Sequence, residues 1–186
     1  AGVMALNSLR VHSASVNSCE GSAIDTFVVS PHFGSPPPAE LLRQQLILAL
    51  AGELDVMGTL EQRDNDAAAG KGRAGDIPDA VPINRVSAPP RILWHEGSAP
   101  DQPVVEIRSM DRPGLLARLT GVFERAGVDI SWAKVTTLGS TVVDAFGIVV
   151  PPLAQGDIRE TLEGDLFAVL PTPPPAKPAA TADVAG

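Results

Sequence analysis

Two segments of this chain, 119 positions apart, repeat one another without a gap: residues 2 to 31 lie over residues 121 to 150. Gly2 and Gly121, Val3 and Val122, Ala14 and Ala133, Val16 and Val135, Asp25 and Asp144, and Phe27 and Phe146 are identical pairs. Chance gives about two or three identities in such a window at ordinary residue usage. Unmatched pairs keep their character, as Leu9 with Val128, Val11 with Ile130 and Ile24 with Val143 do. The repeat governs the rest of the reading, because each copy must fold as the same small unit. In the second copy it is preceded by the strand-like Val104-Val105-Glu106-Ile107, an Asp-Arg-Pro-Gly turn and most of a helix. The first copy is therefore expected to be incomplete, and the chain to be a piece of a longer polypeptide whose catalytic part lies elsewhere.

Local patterns supply the elements. Residues 1 to 9 read as the end of a helix, residues 10 to 18 as a strand, Glu20-Gly21 as a tight turn and residues 23 to 30 as a second strand. Pro36-Pro37-Pro38 ends extended structure, and residues 39 to 54 read as a helix with Leu41, Leu42 and Ile47 in its apolar stripe. From residue 58 to 89 the composition is rich in Ala, Gly, Asp and Pro without periodicity, which predicts a disordered insertion. Residues 91 to 95 are a strand candidate that closes the first module, so that module spans 1–96. The second module, 102–170, reads as a strand over 104–108, a helix over 114–126 stopped at Gly127, a hairpin around Leu138-Gly139, a helix over 157–166 and a last strand over 167–170. The Pro- and Ala-rich tail, 171–186, is too poor in large apolar groups to order itself. Strand, helix, strand, strand, helix, strand is the split βαβ order, so the expected fold class is α+β: two ferredoxin-like βαββαβ modules, the first truncated at its N-terminus.

Composition narrows the function classes. A net charge of −8 over 186 residues, with no Lys/Arg-rich run, argues against nucleic acid as a partner. The longest strongly apolar run, residues 46 to 51, is far too short to span a bilayer. A single cysteine, Cys19, cannot form an internal disulfide and reads as a buried thiol, which fits a cytoplasmic location. His12, His32 and His95 lack metal-type spacing, so no metal is expected. Gly21-Ser22 and Gly97-Ser98 are not followed by the Asp-x-Asp of a nucleotidyltransferase, and no Walker loop, Gly-x-Ser-x-Gly or His-Asp pair occurs. No catalytic constellation is present.

Asp111-Arg112-Pro113-Gly114 is the segment with chemical potential. As structure, it is a helix start: Asp can cap free amides, Pro sets φ, and Gly permits close approach. As a site, the same amides at Gly114 and Leu115 can hold a carboxylate while Asp111 holds an ammonium, which together describe a free amino acid. Asp25 and Asp144 would have to converge to act as a catalytic pair; the favoured reading is structural, bonded to backbone or to a hydroxyl such as that of Thr137. Trp132 and Lys134 replace Ser13 and Ser15 of the first copy, a difference read as packing drift rather than as a ligand site.

Asp-Arg-Pro-Gly-Leu-Leu, Asp-Ile-Ser-Trp-Ala-Lys-Val-Thr-Thr-Leu-Gly and Val-Val-Asp-Ala-Phe, within residues 104 to 150, resemble an ACT domain. More narrowly, they resemble the last ACT domain of bacterial protein-PII uridylyltransferases, and residues 1 to 96 resemble the ACT domain before it. The resemblance implies a cytoplasmic regulatory pair that senses glutamine and switches a nucleotidyltransferase and hydrolase between modifying and demodifying PII. It implies no cofactor in this chain, Mg for catalytic domains elsewhere, and ACT–ACT pairing. It also implies an effector site between the modules: Asp111 for the ammonium, the Arg112, Pro113, Gly114 and Leu115 turn for the carboxylate, and Val16, Asn17 and Ser18 as the facing wall, with Asn17 reading the side-chain amide. The alternatives are a non-catalytic tandem ACT interaction module, or the regulatory end of another amino-acid-controlled enzyme such as a stringent-response synthetase or an aromatic-pathway dehydratase.

Overall fold

The repeat folds as a repeat. The computed structural model describes residues 1–19, 22–69, 88–151 and 158–171. In the first copy, helix α1 (Gly2–Leu6) leads into strand β1 (Leu9–Cys19), strand β2 (Ser22–Pro31) and helix α2 (Ala39–Leu50). Helix α3 (Val56–Ala68) and strand β3 (Arg91–His95) follow. The second copy has strand β4 (Val104–Met110), helix α4 (Leu115–Arg125), strands β5 (Asp129–Leu138) and β6 (Thr141–Val149), and helix α5 (Ile158–Val169). The 119-residue offset carries β1 onto β5 and β2 onto β6, and it reaches past the matched sequence to carry α2 onto α5. Even the irregularities coincide. The β1–β2 ladder shifts between Val11 and Ser13, and the β5–β6 ladder between Ile130 and Trp132, one offset later.

The fold is α+β: one six-stranded antiparallel sheet in the order β2-β1-β5-β6-β4-β3, with five helices among the described residues, compatible with ferredoxin-like modules. The two copies meet edge to edge through β1 and β5, where Ser15 lies opposite Lys134, its own repeat counterpart. An approximate two-fold axis therefore passes between these residues, and the joint makes the sheet continuous.

The main core belongs to the second copy. Val105 and Ile107 of β4, Leu115, Leu119, Val122 and Phe123 of α4, Phe146 and Ile148 of β6, and Leu162 and Leu166 of α5 are buried together. Phe123 and Phe146 meet at 5.1 Å between ring centroids. A smaller cluster of Leu6, Leu60 and Ala117 joins α1 and α3 to α4. Helix α2 has no buried residue: Leu46, Ile47 and Leu50 are half or more exposed, so the stripe that marks it as amphipathic lies largely uncovered.

Three expectations need correction. The insertion expected to be disordered from residue 58 begins as helix α3, N-capped by Asp55, whose carboxylate accepts from the Gly58 amide at 2.9 Å; the remainder of it, 70–87, lies outside the described residues. Strand β3 does not close the first module but pairs with β4 of the second, Arg91 facing Arg108 and His95 facing Val104. Residues 167–169, expected to open a last strand, finish helix α5. The last two share a cause: one flank of β4 is paired with β6, and β3 fills the other, leaving no flank for a later strand. The tail's disorder and the Cys19 thiol fall outside what is described.

Trp132 has a structural explanation. A Cβ on Gly147 would lie 2.0 Å from the indole Nε1, so the ring lies flat on the sheet over a glycine where the first copy has Ser13 and Val28.

Candidate functional site

Residues 111–114 join β4 to α4 and sit at the seam between the copies. The Asp111 amide donates to the Ser140 carbonyl at 2.8 Å, tying the loop to the β5–β6 turn. The Asp111 carboxylate does not cap α4, which has no side-chain cap. It faces the first copy instead and accepts from Arg10 Nε at 3.1 Å, while Arg10 Nη2 donates to the Gly139 carbonyl. Thr137 Oγ1 donates to the Val11 carbonyl at 2.9 Å. These bonds stitch the start of β1 to the second copy.

The helix start is only partly free. Leu115 N–H already donates to the Arg112 carbonyl at 3.1 Å, contrary to the expectation that it is open for a ligand. The amides of Leu116 and Ala117 have no intrahelical acceptor, as in any first helical turn. Gly114 is the N-cap, with a left-handed φ of 76°. Arg112 turns away from the seam and donates from Nη2 to the Val169 carbonyl at the end of α5 at 2.9 Å. Burial, with Arg118 nearby, pulls its pKa below the ordinary guanidinium value.

A cavity opens at this seam. Ala1, Ala5, Leu9, Arg10, Val11 and His32 line it from the first copy; residues 111–114 and the first turn of α4 line it from the second, with Val135, Thr137, Val142 and Asp144 beneath. The space open to water centres is about 40 Å³, room for roughly three waters, so a larger ligand requires the side chains at its mouth to move. Asp144 is 1% exposed. Burial pushes its carboxyl up to about 7, Asp111 adds to the rise, and a hydrogen bond from the Thr136 amide opposes it. That amide is 3.4 Å from Oδ1, and Thr137, the expected partner, bonds elsewhere. Among the described residues no group of His, Cys, Asp and Glu is arranged to hold a metal.

The structure thus brings Asp111, Arg112, Pro113, Gly114 and Leu115 to one cavity but leaves Val16, Asn17 and Ser18 out of its lining. Val16 packs on the main core, Asn17 Nδ2 donates to Ser15 Oγ at 3.3 Å, and Ser18 pairs through its backbone with Ala23. Asn17 is six residues, roughly 20 Å of strand, beyond Val11. Antiparallel pairing centred on Ser15 and Lys134 accounts for this: it sets the beginning of β1 beside the end of β5, so Leu9–Val11 form the facing wall. Val16, Asn17 and Ser18 are the repeat counterparts of Val135, Thr136 and Thr137, and so hold the same strand positions in the other copy. Arg10 and Asp144 are the polar residues that pattern reading did not place at the site. The antiparallel register between repeat counterparts would have found the first, and burial alone reveals the second.

No family model matches the chain. It is 56% identical over 171 residues to the bifunctional uridylyltransferase/uridylyl-removing enzyme of Mycobacterium tuberculosis, a match covering 91% of this chain and 21% of that protein. The enzyme of the same name from Streptomyces coelicolor is 38% identical over 153 residues, 78% of this chain and 17% of that one. That of Gluconobacter oxydans is 27% identical over 186 residues, 94% of this chain and 18% of that one. The chain spans about a fifth of the length of these curated relatives. The chain is homologous to a C-terminal segment of bacterial bifunctional uridylyltransferase/uridylyl-removing enzymes.

Proposed function

We propose that this chain is a tandem ACT pair that senses glutamine and regulates a protein-PII uridylyltransferase and uridylyl-removing enzyme. One observation carries the reading: a carboxylate, Asp111, and a guanidinium, Arg10, stand side by side at a cavity between the two copies, next to the open amides of a helix start. A free amino acid presents the complementary charges. Its ammonium goes to Asp111, and its carboxylate to Arg10 and the Leu116 and Ala117 amides. Because Arg10 and Asp111 also join the copies, a ligand that takes over their bonds favours one arrangement of the pair over another, which regulation requires. The PII protein and the Mg-dependent chemistry belong to parts of the parent enzyme outside this chain.

An amide NMR titration tests the reading, with glutamine against glutamate, serine and phenylalanine. Glutamine is expected to shift Leu9 to Val11 and Arg112 to Ala117. Dispersed spectra indifferent to every amino acid would leave the second reading, an interaction module without a small ligand. That reading is favoured by the face of the sheet that no helix among the described residues covers, where Ile24, Val28, Trp132 and Leu138 are exposed.

A further inference from the structure

We propose that the Asp144 carboxyl, beneath the Asp111 loop, reads the side-chain end of the effector and selects a carboxamide over a carboxylate. The inference rests on the amino-acid reading of the cavity and assigns the part of the ligand that the zwitterion contacts leave open. Asp144 lies on β6 facing the helices, with Ile107 of β4 and Val135 of β5 directly across from it. It is buried and lines the cavity. Its one hydrogen bond among the described residues, from the Thr136 amide, is long at 3.4 Å and uses one oxygen. A buried carboxyl ordinarily has a cation or several donors. Here the nearby guanidinium groups make their bonds elsewhere, Arg10 with Asp111, Arg112 with the Val169 carbonyl and Arg118 with Asp64, and although Nε of Arg112 and of Arg118 is buried without an acceptor, neither bonds Asp144.

The chemistry of such a group is specific. A neutral carboxyl offers an O–H donor beside a carbonyl acceptor, and a primary carboxamide offers an N–H donor beside a carbonyl acceptor, so the two close a ring of two hydrogen bonds. A ligand carboxylate brings acceptors only, and a second negative charge close to Asp111. Once ionised, Asp144 can only accept, and the paired recognition is lost. The burial that raises its pKa to about 7 keeps much of it neutral at cellular pH. The titratable and charged groups around it are Asp111 and Arg112 on the loop, Arg10 on β1, His32 after β2, Arg118 on α4 and the Ala1 amino group, whose pKa burial lowers; β4 and β5 face it with apolar residues.

The test is calorimetric titration of the 186-residue chain with glutamine, glutamate and methionine at pH 6.5 and pH 8.5, for the wild type, D144N, D144A and H32Q. The wild type is expected to prefer glutamine to both others at least about tenfold, since a site built to pair a polar group rejects ligands that leave it unpaired. Its glutamine affinity should fall about tenfold between the two pH values as the carboxyl ionises. H32Q, and the chain with its N-terminal amine acetylated, should keep that fall. D144N, whose amide can pair with an amide, should bind glutamine within a few-fold of wild type with no pH dependence, and D144A should lose glutamine about tenfold. A D144N protein that melts like wild type yet keeps the pH dependence would overturn the proposal, as would a folded D144A with unchanged affinity. Binding of none of the amino acids by wild type would remove the amino-acid site itself and this inference with it.

Discussion

Gly114 shows how narrowly single residues define the seam. Its φ of 76° suits a residue without a side chain, and a Cβ there would meet Leu60 Cδ1 at 3.3 Å and Cδ2 at 3.5 Å. Leu60 is 4% exposed and packed between α1 and α4, so it has little room to yield. Gly114→Ala is expected to cost about 1–3 kcal/mol through backbone strain and displaced packing, read as a lower urea midpoint at unchanged slope. Asp144 makes a second prediction, with a definite sign. Its folded pKa, about 7, lies above the ordinary 3.8, so between pH 4 and 7 the unfolded chain releases this proton while the folded chain keeps it. Stability from this group is therefore full below about pH 4, is lost as pH rises towards 7, and stays lost above it, by at most about 4 kcal/mol. Urea unfolding of wild type and Asp144→Asn across that range should show the wild type losing ground to the variant as pH rises. The sequence made Asp25 and Asp144 equals, and it could not have separated them. Asp144 lies on a strand flanked on both sides and beneath helices, whereas Asp25 is exposed on β2, which has no second neighbour among the described residues.

At the scale of elements, helix α3 was illegible for a physical reason. Its apolar residues Val56, Met57 and Leu60 all fall near its start, where they pack with α1 and α4, so no stripe runs its length. Polar ties hold the rest. Arg63 Nη1 donates to the Leu6 carbonyl at 2.7 Å, and Asp64 accepts from Arg118 Nη2 at 2.6 Å. The Arg118 side chain is 9% exposed and that of Asp64 51%. Asp64→Ala would leave a buried guanidinium short of an acceptor, and with one partner half in water the expected cost is about 1–2 kcal/mol. Hydrogen exchange should localise the effect, with α3 amides exchanging faster and the β4–β6 ladder unchanged. Elements with a full periodic signal behaved differently. Helix α4 and strand β6 were readable because one face of each is buried along its length; the β1–β2 hairpin, whose second strand has no buried residue, was readable because it repeats β5 and β6.

For the molecule as a whole, the two copies are unequal partners. The second holds the main core, whereas the first contributes Val3, Leu6, Leu9 and Ala14 and leaves most of α2 uncovered. Sequence ended the first module at residue 96, because residues 91 to 95 read as the strand that closes it. The sheet carries β3 across that division. Ile92 and Trp94 pack against the second copy's core, Trp94 Nε1 donates to Glu163 at 3.2 Å, and Arg159 lies over the indole at 5.0 Å. Strand order is a long-range property, and nothing in Arg91 to His95 encodes which edge it joins. A consequence follows for fragments. A piece covering residues 88–171 keeps β3 and the whole main core, so it is expected to fold alone with a half-buried Trp94 and a single urea transition. A piece covering 102–171 exposes the edge of β4 and the flank of α5; it loses the partial burial of Ile92 and Trp94, less for each than the roughly 1.5–3 kcal/mol of a fully buried large apolar side chain. A piece covering 1–69 lacks β5, against which β1 is laid, and should give a poorly dispersed spectrum. Tryptophan emission and amide dispersion of the three pieces check the assignment. Equal stability of the 88–171 and 102–171 pieces would mean that β3 adds nothing to the second copy, and the boundary after residue 96 would then be the better one.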